Sequence, residues 1–238
     1  AQFMARAMVF PGGRVDAPDR ALASACDLSG DEAARLLGLT DPDRAIAYFV
    51  AAIRETFEEA GVLLADGPDL DPARLAKHRD ALNAKEIDFA EVVAAEGLTL
   101  RASQLRVFSY KNTPPTEKRR YDTWFFVAQV PDSQTASHDA IENTAGAWLS
   151  PSAALSGYAE GTLRLAPPTL WELTALADCA TGEAAFRLRD GVPASILPQP
   201  QSVDDELHLI LPSDAGYDPP GPGRARVILR HGQWTLST

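Results

Sequence analysis

Apolar residues recur at helical spacing through Ile46, Phe49, Val50, Ile53 and Phe57, the clearest periodic run in the chain. Thr40-Asp41-Pro42-Asp43 ahead of it offers an N-cap, a Pro at an early helical position and acidic residues in the first turn, and Gly61 is a natural stop. The pattern predicts a long helix ending at Gly61. From Asp19 to Gly38 an Ala- and Leu-rich stretch with a Ser29-Gly30 break predicts one or two short helices, and residues 70 to 96 predict two more, Asp71 to about Ala84 and Glu86 to about Glu96. After Gly97 the pattern turns to β-favouring runs, Leu98 to Tyr110 and Tyr121 to Val130, read as paired strands around the polar turn 112–120. Ala147-Trp148-Leu149 reads as a short strand, and Pro167-Pro168 open a helix carrying Leu170, Leu173 and Leu176. Residues 207–212 and 225–236 are strand-like around a Pro- and Gly-rich loop at 216–223. At the front, residues 3 to 10 read as an extended arm ending at the Pro11-Gly12-Gly13 turn, and so abrupt a start leads a mixed sheet to be expected to have strands before residue 1.

Composition narrows the class. At 238 residues, 45% hydrophobic and 23% charged, the chain has enough apolar content for a sizeable core, and we expect one domain over 1–238. A net charge of -11 argues against a sequence-independent nucleic-acid binder, whose affinity comes from Lys and Arg on phosphates. An anionic ligand must therefore be held locally, which a bound divalent cation in an acidic cleft would achieve. Cys26 and Cys179 form no metal-ligand spacing, no apolar run reaches the length of a membrane span, and no signal peptide is legible, so a cytoplasmic protein away from membranes is the expectation. His78, His138, His208 and His231 lack zinc-site spacing, and Gly221-Pro222-Gly223 is a loop, not a dinucleotide fingerprint.

The chemistry sits on the long helix. At about 100° per residue, Glu55, Glu58 and Glu59 cluster opposite the apolar stripe, and like charges at this spacing repel by about 0.2–0.5 kcal/mol per pair. Hard carboxylate oxygens suit Mg²⁺ or Mn²⁺ as the compensating cofactor. A solvated acidic face is the plain alternative, but the neighbouring residues weigh against it. Arg54-Glu55-Thr56-Phe57-Glu58-Glu59-Ala60-Gly61-Val62 resembles the second half of the Nudix box, G-x5-E-x7-R-E-U-x-E-E-x-G-U with U aliphatic, and Gly13 to Asp19 resembles the first half. Three departures stand out: Asp19 replaces Glu, Thr56 occupies an aliphatic position, and about 27 extra residues separate Asp19 from Arg54. Such an insertion is compatible with a working site if the two halves still meet and the extra residues bulge outward. The split resembles the Nudix subgroup that includes the peroxisomal coenzyme A diphosphatases, as do Thr113-Pro114, Arg119-Arg120-Tyr121-Asp122-Thr123 and Leu165-Ala166-Pro167-Pro168.

The resemblance implies an α/β Nudix fold, a mixed β-sheet between helices, with helical insertions at about 20–46 and 70–96. It implies Mg²⁺-dependent (or Mn²⁺-dependent) hydrolysis of a nucleoside diphosphate linked to another group, coenzyme A or an acyl-CoA first, with NADH, ADP-ribose or dinucleoside polyphosphates as alternatives. Metal ligands would be Glu55, Glu58, Glu59 and the Gly13 carbonyl, with Asp19 acting through water and Arg54 orienting the carboxylates. The general base is Glu55 or, on a later loop, Glu142. Arg119 and Arg120 either contact substrate phosphates or form a plain basic turn. A Nudix-like module that senses a nucleotide without cleaving it stays open. The expected partner is thus a small nucleotide-diphosphate substrate, with neither nucleic acid nor membrane, and a homodimer is the assembly to test.

Overall fold

The long helix forms where the caps predict it. In the computed structural model, which describes residues 7–114, 121–134, 147–188, 191–223 and 225–237, α3 spans Pro42–Ala60. Asp41 accepts the Arg44 N–H at its start, and Gly61 ends it in the left-handed conformation at φ 68°. Its buried set is wider than the predicted stripe: Ala45, Ala47 and Ala51 join Ile46, Phe49, Val50, Ile53 and Phe57. Each fully buried Phe or Ile contributes about 1.5–3 kcal/mol. The small alanines let neighbouring elements approach closely.

One of those neighbours is the segment between the two halves of the box. It folds as α1 (Ala17–Ala21), a 3₁₀ turn (Ala23–Ala25) and α2 (Gly30–Leu37), the last capped by Ser29. The Ser29-Gly30 break is thus a helix start. The segment does not bulge outward as expected: Leu22, Leu28, Ala33, Ala34 and Leu37 are buried in the same core as α3. An amphipathic helix with an apolar face gains more from packing on α3 than from standing in solvent.

β1 (Ala65–Asp66) pairs antiparallel with β2 (Thr99–Leu100). Between them lie α4 (Pro72–Asn83), capped by Asp71, and α5 (Phe89–Glu96), capped by Asp88 and ended by Gly97. The run expected as one strand from Leu98 to Tyr110 is divided by a 3₁₀ turn, Ala102–Gln104, so that β3 (Arg106–Asn112) belongs to a different sheet from β2. β3 pairs antiparallel with β4 (Asp122–Val127), Tyr110 opposite Trp124, and parallel with β5 (Ser195–Ile196). This small mixed sheet lays Phe126 against Phe49 of α3, ring centroids 4.9 Å apart.

Ala147-Trp148-Leu149 is not a strand. It is irregular backbone with Trp148 68% exposed, leading into α6 (Pro151–Ala159), which Ser150 caps. Aromatic and branched residues favour strands only where a neighbouring strand or face receives them. α7 (Pro167–Ala177) follows as expected, with Leu170 and Leu173 buried, and α8 (Gly182–Arg187) is a short addition. The tail is an antiparallel meander of β6 (Gln199–Val203), β7 (Glu206–Ile210), β8 (Arg226–Arg230) and β9 (Gln233–Ser237). One face of it joins α6 and α7 in a second core, with Leu173, Val227 and Trp234 among its buried members.

Candidate active site

Arg54 is the centre of the site, and the tertiary structure explains why a cation is buried there. Its side chain is 8% exposed. Nε and Nη2 donate to the two carboxylate oxygens of Asp19 at 2.9 and 3.1 Å, Nη2 also reaches the Arg14 carbonyl at 2.7 Å, and Nη1 donates to Glu55 Oε1 at 2.8 Å and more weakly to Glu58 at 3.4 Å. The planar guanidinium fork suits this shared role. Although burial opposes its charge, the hydrogen bonds to Asp19 and the surrounding carboxylates hold the Arg54 pKa well above the ordinary range.

The two halves of the box therefore meet despite the insertion. Asp19 is 1% exposed, and besides Arg54 it accepts the Asp16 N–H at 2.7 Å in a reciprocal cap of α1. Both of its oxygens are engaged, so in this geometry it serves Arg54. The Gly12 N–H donates to Glu59 Oε2 at 3.2 Å. A Cβ added at Gly13 would overlap the Glu55 carboxyl, so the backbone of the turn can lie against that carboxylate only because the residue is glycine. Thr56, the odd residue in the box, turns its hydroxyl back to the Ala52 carbonyl at 2.7 Å and needs no other partner.

Glu55 and Glu58 carry raised pKa values, chiefly through desolvation, with Arg54 working the other way. Like-charged, half-buried carboxylates with one shared guanidinium are short of positive charge. Among the described residues no three His, Cys, Asp or Glu side chains form a ready cage. The donors nonetheless fit a hard divalent ion: carboxylates on one helix face, and a glycine turn whose backbone packs directly against the Glu55 carboxylate. Beside them opens a cleft of about 550 Å³ between α1, α3 and the α4–α5 turn, lined by Asp19, Arg54, Glu58, Leu82, Lys85 and Phe89 among others.

The structure places Arg54, Glu55, Glu58, Glu59, Gly13 and Asp19 together. Glu142, Arg119 and Arg120 lie outside the described residues. Asp122, next to that arginine pair in sequence, accepts from Arg44 Nη2 at 2.6 Å and from the Tyr48 hydroxyl at 2.9 Å, tying the start of β4 to α3. Sequence reasoning missed Arg79 and Asn83 of α4. Arg79 donates from Nε to the Glu58 carbonyl and from Nη2 to the Glu59 carbonyl, both at 2.8 Å, and Asn83 Nδ2 reaches the Glu58 carbonyl at 3.3 Å. Side chains that bind backbone carbonyls leave no pattern in a sequence.

An α/β fold whose long helix faces Arg-Glu-x-x-Glu-Glu onto a glycine turn is that of the Nudix proteins. The model of the NUDT19 Nudix domain matches residues 33–176, and the chain belongs to that family. The match begins after Asp19, so the first half of the box is identified here by its contacts with Arg54, Glu55 and Glu59. The chain is 31% identical over 196 residues to the acyl-coenzyme A diphosphatase NUDT19 of Homo sapiens, covering 72% of this chain and 51% of that protein. It is 29% identical over 208 residues to the putative nudix hydrolase 7 of Caenorhabditis elegans, covering 84% and 60%. It thus spans about half to three fifths of the length of these curated relatives. The crystal structure of a Nudix hydrolase from Alicyclobacillus acidocaldarius is similar at a TM-score of 0.60 and 29% identity, over 79% of this chain and 83% of that one. No helix among the described residues is long and apolar enough to cross a membrane.

Proposed function

We propose that the protein is a divalent-metal-dependent Nudix hydrolase that cleaves a diphosphate bond, with coenzyme A or an acyl-CoA as substrate. The observation that carries it is the Arg54-centred cluster, in which the glycine turn, Asp19 and the α3 carboxylates converge across the insertion. The choice of coenzyme A is supported by its NUDT19 relatives, which are named acyl-coenzyme A diphosphatases.

Glu55, Glu58, Glu59 and the Gly13 carbonyl would hold Mg²⁺ or Mn²⁺. When bound, such an ion neutralises diphosphate oxygens and makes water a better nucleophile. Arg54 keeps Glu55 and Glu58 in one orientation, and Asp19 keeps Arg54 in place. Glu55, by its position against the glycine turn, would accept a proton from attacking water. Glu142 is the rival base. Arg119 and Arg120 would bind substrate phosphates, and a nucleotide-diphosphate is the partner proposed.

The test is turnover with Mg²⁺ on coenzyme A, acyl-CoA, NADH, ADP-ribose and dinucleoside polyphosphates, with Glu58→Gln and Glu59→Gln as controls. Coenzyme A should yield 3′,5′-ADP and a phosphopantetheine product, and both variants should lose about 10²-fold or more in rate, as expected when transition-state charge stabilisation is removed. Tight nucleotide binding without turnover in the unmutated protein would establish a sensing module instead.

A further inference from the structure

The last turn of an α-helix leaves four carbonyls without intrahelical partners, and at the end of α3 these are the carbonyls of Phe57, Glu58, Glu59 and Ala60. The first of these is satisfied locally by the Gly61 N–H, while the Val62 N–H turns back to the Thr56 carbonyl one position earlier. The next two carbonyls are those of Glu58 and Glu59. They are the ones that Arg79 takes, through two parallel donors at 2.8 Å, with Asn83 supporting at Glu58. A guanidinium at this end also opposes the negative pole of the helix dipole.

The helix that carries Arg79 is itself tied to α5. On α4, Arg74 and His78 both reach Glu96 near the end of α5, at 2.6 Å and 2.8 Å, and the Glu96 side chain is buried. α4 is thus clasped to α5 by one set of side chains and to the last turn of α3 by another, Arg79 and Asn83 standing one helical turn apart. The helical segment between β1 and β2 is therefore joined to the site by its polar residues.

We infer that Arg79 is a positioning residue for the metal-binding carboxylates, fixing the backbone from which Glu58 and Glu59 project, so that the α4–α5 segment is part of the catalytic apparatus. The inference rests on the reading of Glu58 and Glu59 as metal ligands. A side chain on a fraying last turn samples several positions, and a hard cation binds best where its oxygens are preset.

The experiment compares Mn²⁺ binding, followed by the electron paramagnetic resonance of the free ion, in the unmutated protein, Arg79→Met, Arg79→Lys and Arg226→Met. Arg226 pairs with buried Asp214 in the C-terminal meander, so its variant controls for loss of stability alone. Arg79→Met should weaken Mn²⁺ binding about tenfold or more, the usual cost of losing a group that orients a ligand. Arg79→Lys, which keeps the charge but not the fork, should fall between, and Arg226→Met should bind normally while melting lower. With coenzyme A at saturating Mn²⁺, Arg79→Met should lower kcat and leave KM near its original value. If Arg79→Met melts lower yet binds Mn²⁺ like the unmutated protein, Arg79 is only a brace and the inference fails. Should that variant not fold, Arg79→Lys bears the same comparison. Absence of Mn²⁺ binding in the unmutated protein would overturn the metal-site reading itself, and this inference with it.

Discussion

At the scale of single residues, the site depends on one close approach and one buried cation. Gly13 touches the Glu55 carboxyl so closely that even a methyl group would displace it. Gly13→Ala should therefore fold but lose about 10²-fold in turnover, since misplacement by an ångström costs that much. Steady-state kinetics beside an unchanged melting curve would show it, and full activity would mean that the turn is not part of the site. Arg54, Glu55, Glu58 and Glu59 were legible because their spacing on a helix is itself the signal. Asp19 was legible as a box residue, yet its partnership with Arg54 was not, because the two are 35 positions apart in sequence. Arg79 was invisible for a different reason: it binds main-chain carbonyls, whose identity no sequence pattern encodes.

At the scale of elements, caps proved more informative than composition. Asp41, Pro42 and Gly61 bound α3 as the sequence predicts, while α6 went unread because its Ser-, Ala- and Gly-rich turns show no apolar stripe. Its Ser150-Pro151 start was nonetheless a usable signal. The exposed Asp41 side chain accepts the Arg44 N–H at 3.0 Å, far along the helix from the carboxylates. Asp41→Ala should cost about 1 kcal/mol of stability by leaving that N–H without its cap. A urea titration measures it, and Mn²⁺ affinity should not change. An equal midpoint for both proteins would show that the cap is idle.

At the scale of the molecule, two cores share the work. The first surrounds α3 and includes the segment that splits the box; the second joins α6 and α7 to the terminal meander. The meander's loop is pinned by Asp214, which is fully buried and takes Arg226 through both oxygens, with N–H donors from Gly216 and Ala225. These bonds, the Arg226 pair foremost, lower the Asp214 pKa from 3.8 to about 2. Because the folded value is depressed, the stabilisation is complete above the unfolded pKa and is lost as pH falls from about 4 toward 2. In Arg226→Met stability at neutral pH should fall, and the acid limb of melting temperature against pH should become shallower between about pH 4 and 2, because less Asp214 stabilisation is left to lose. Superimposable acid limbs would remove Asp214 from the acid sensitivity of the fold.

By itself the sequence determined the helix that carries the carboxylates, its ends, and the family, because helical periodicity and capping are local and the box is a run of neighbouring residues. Only the tertiary structure decided how the split box closes, that the inserted helices pack inward, and that α4 grips the end of α3. Those outcomes depend on contacts between distant segments, where burial and the satisfaction of backbone carbonyls select one arrangement among many that local pattern allows.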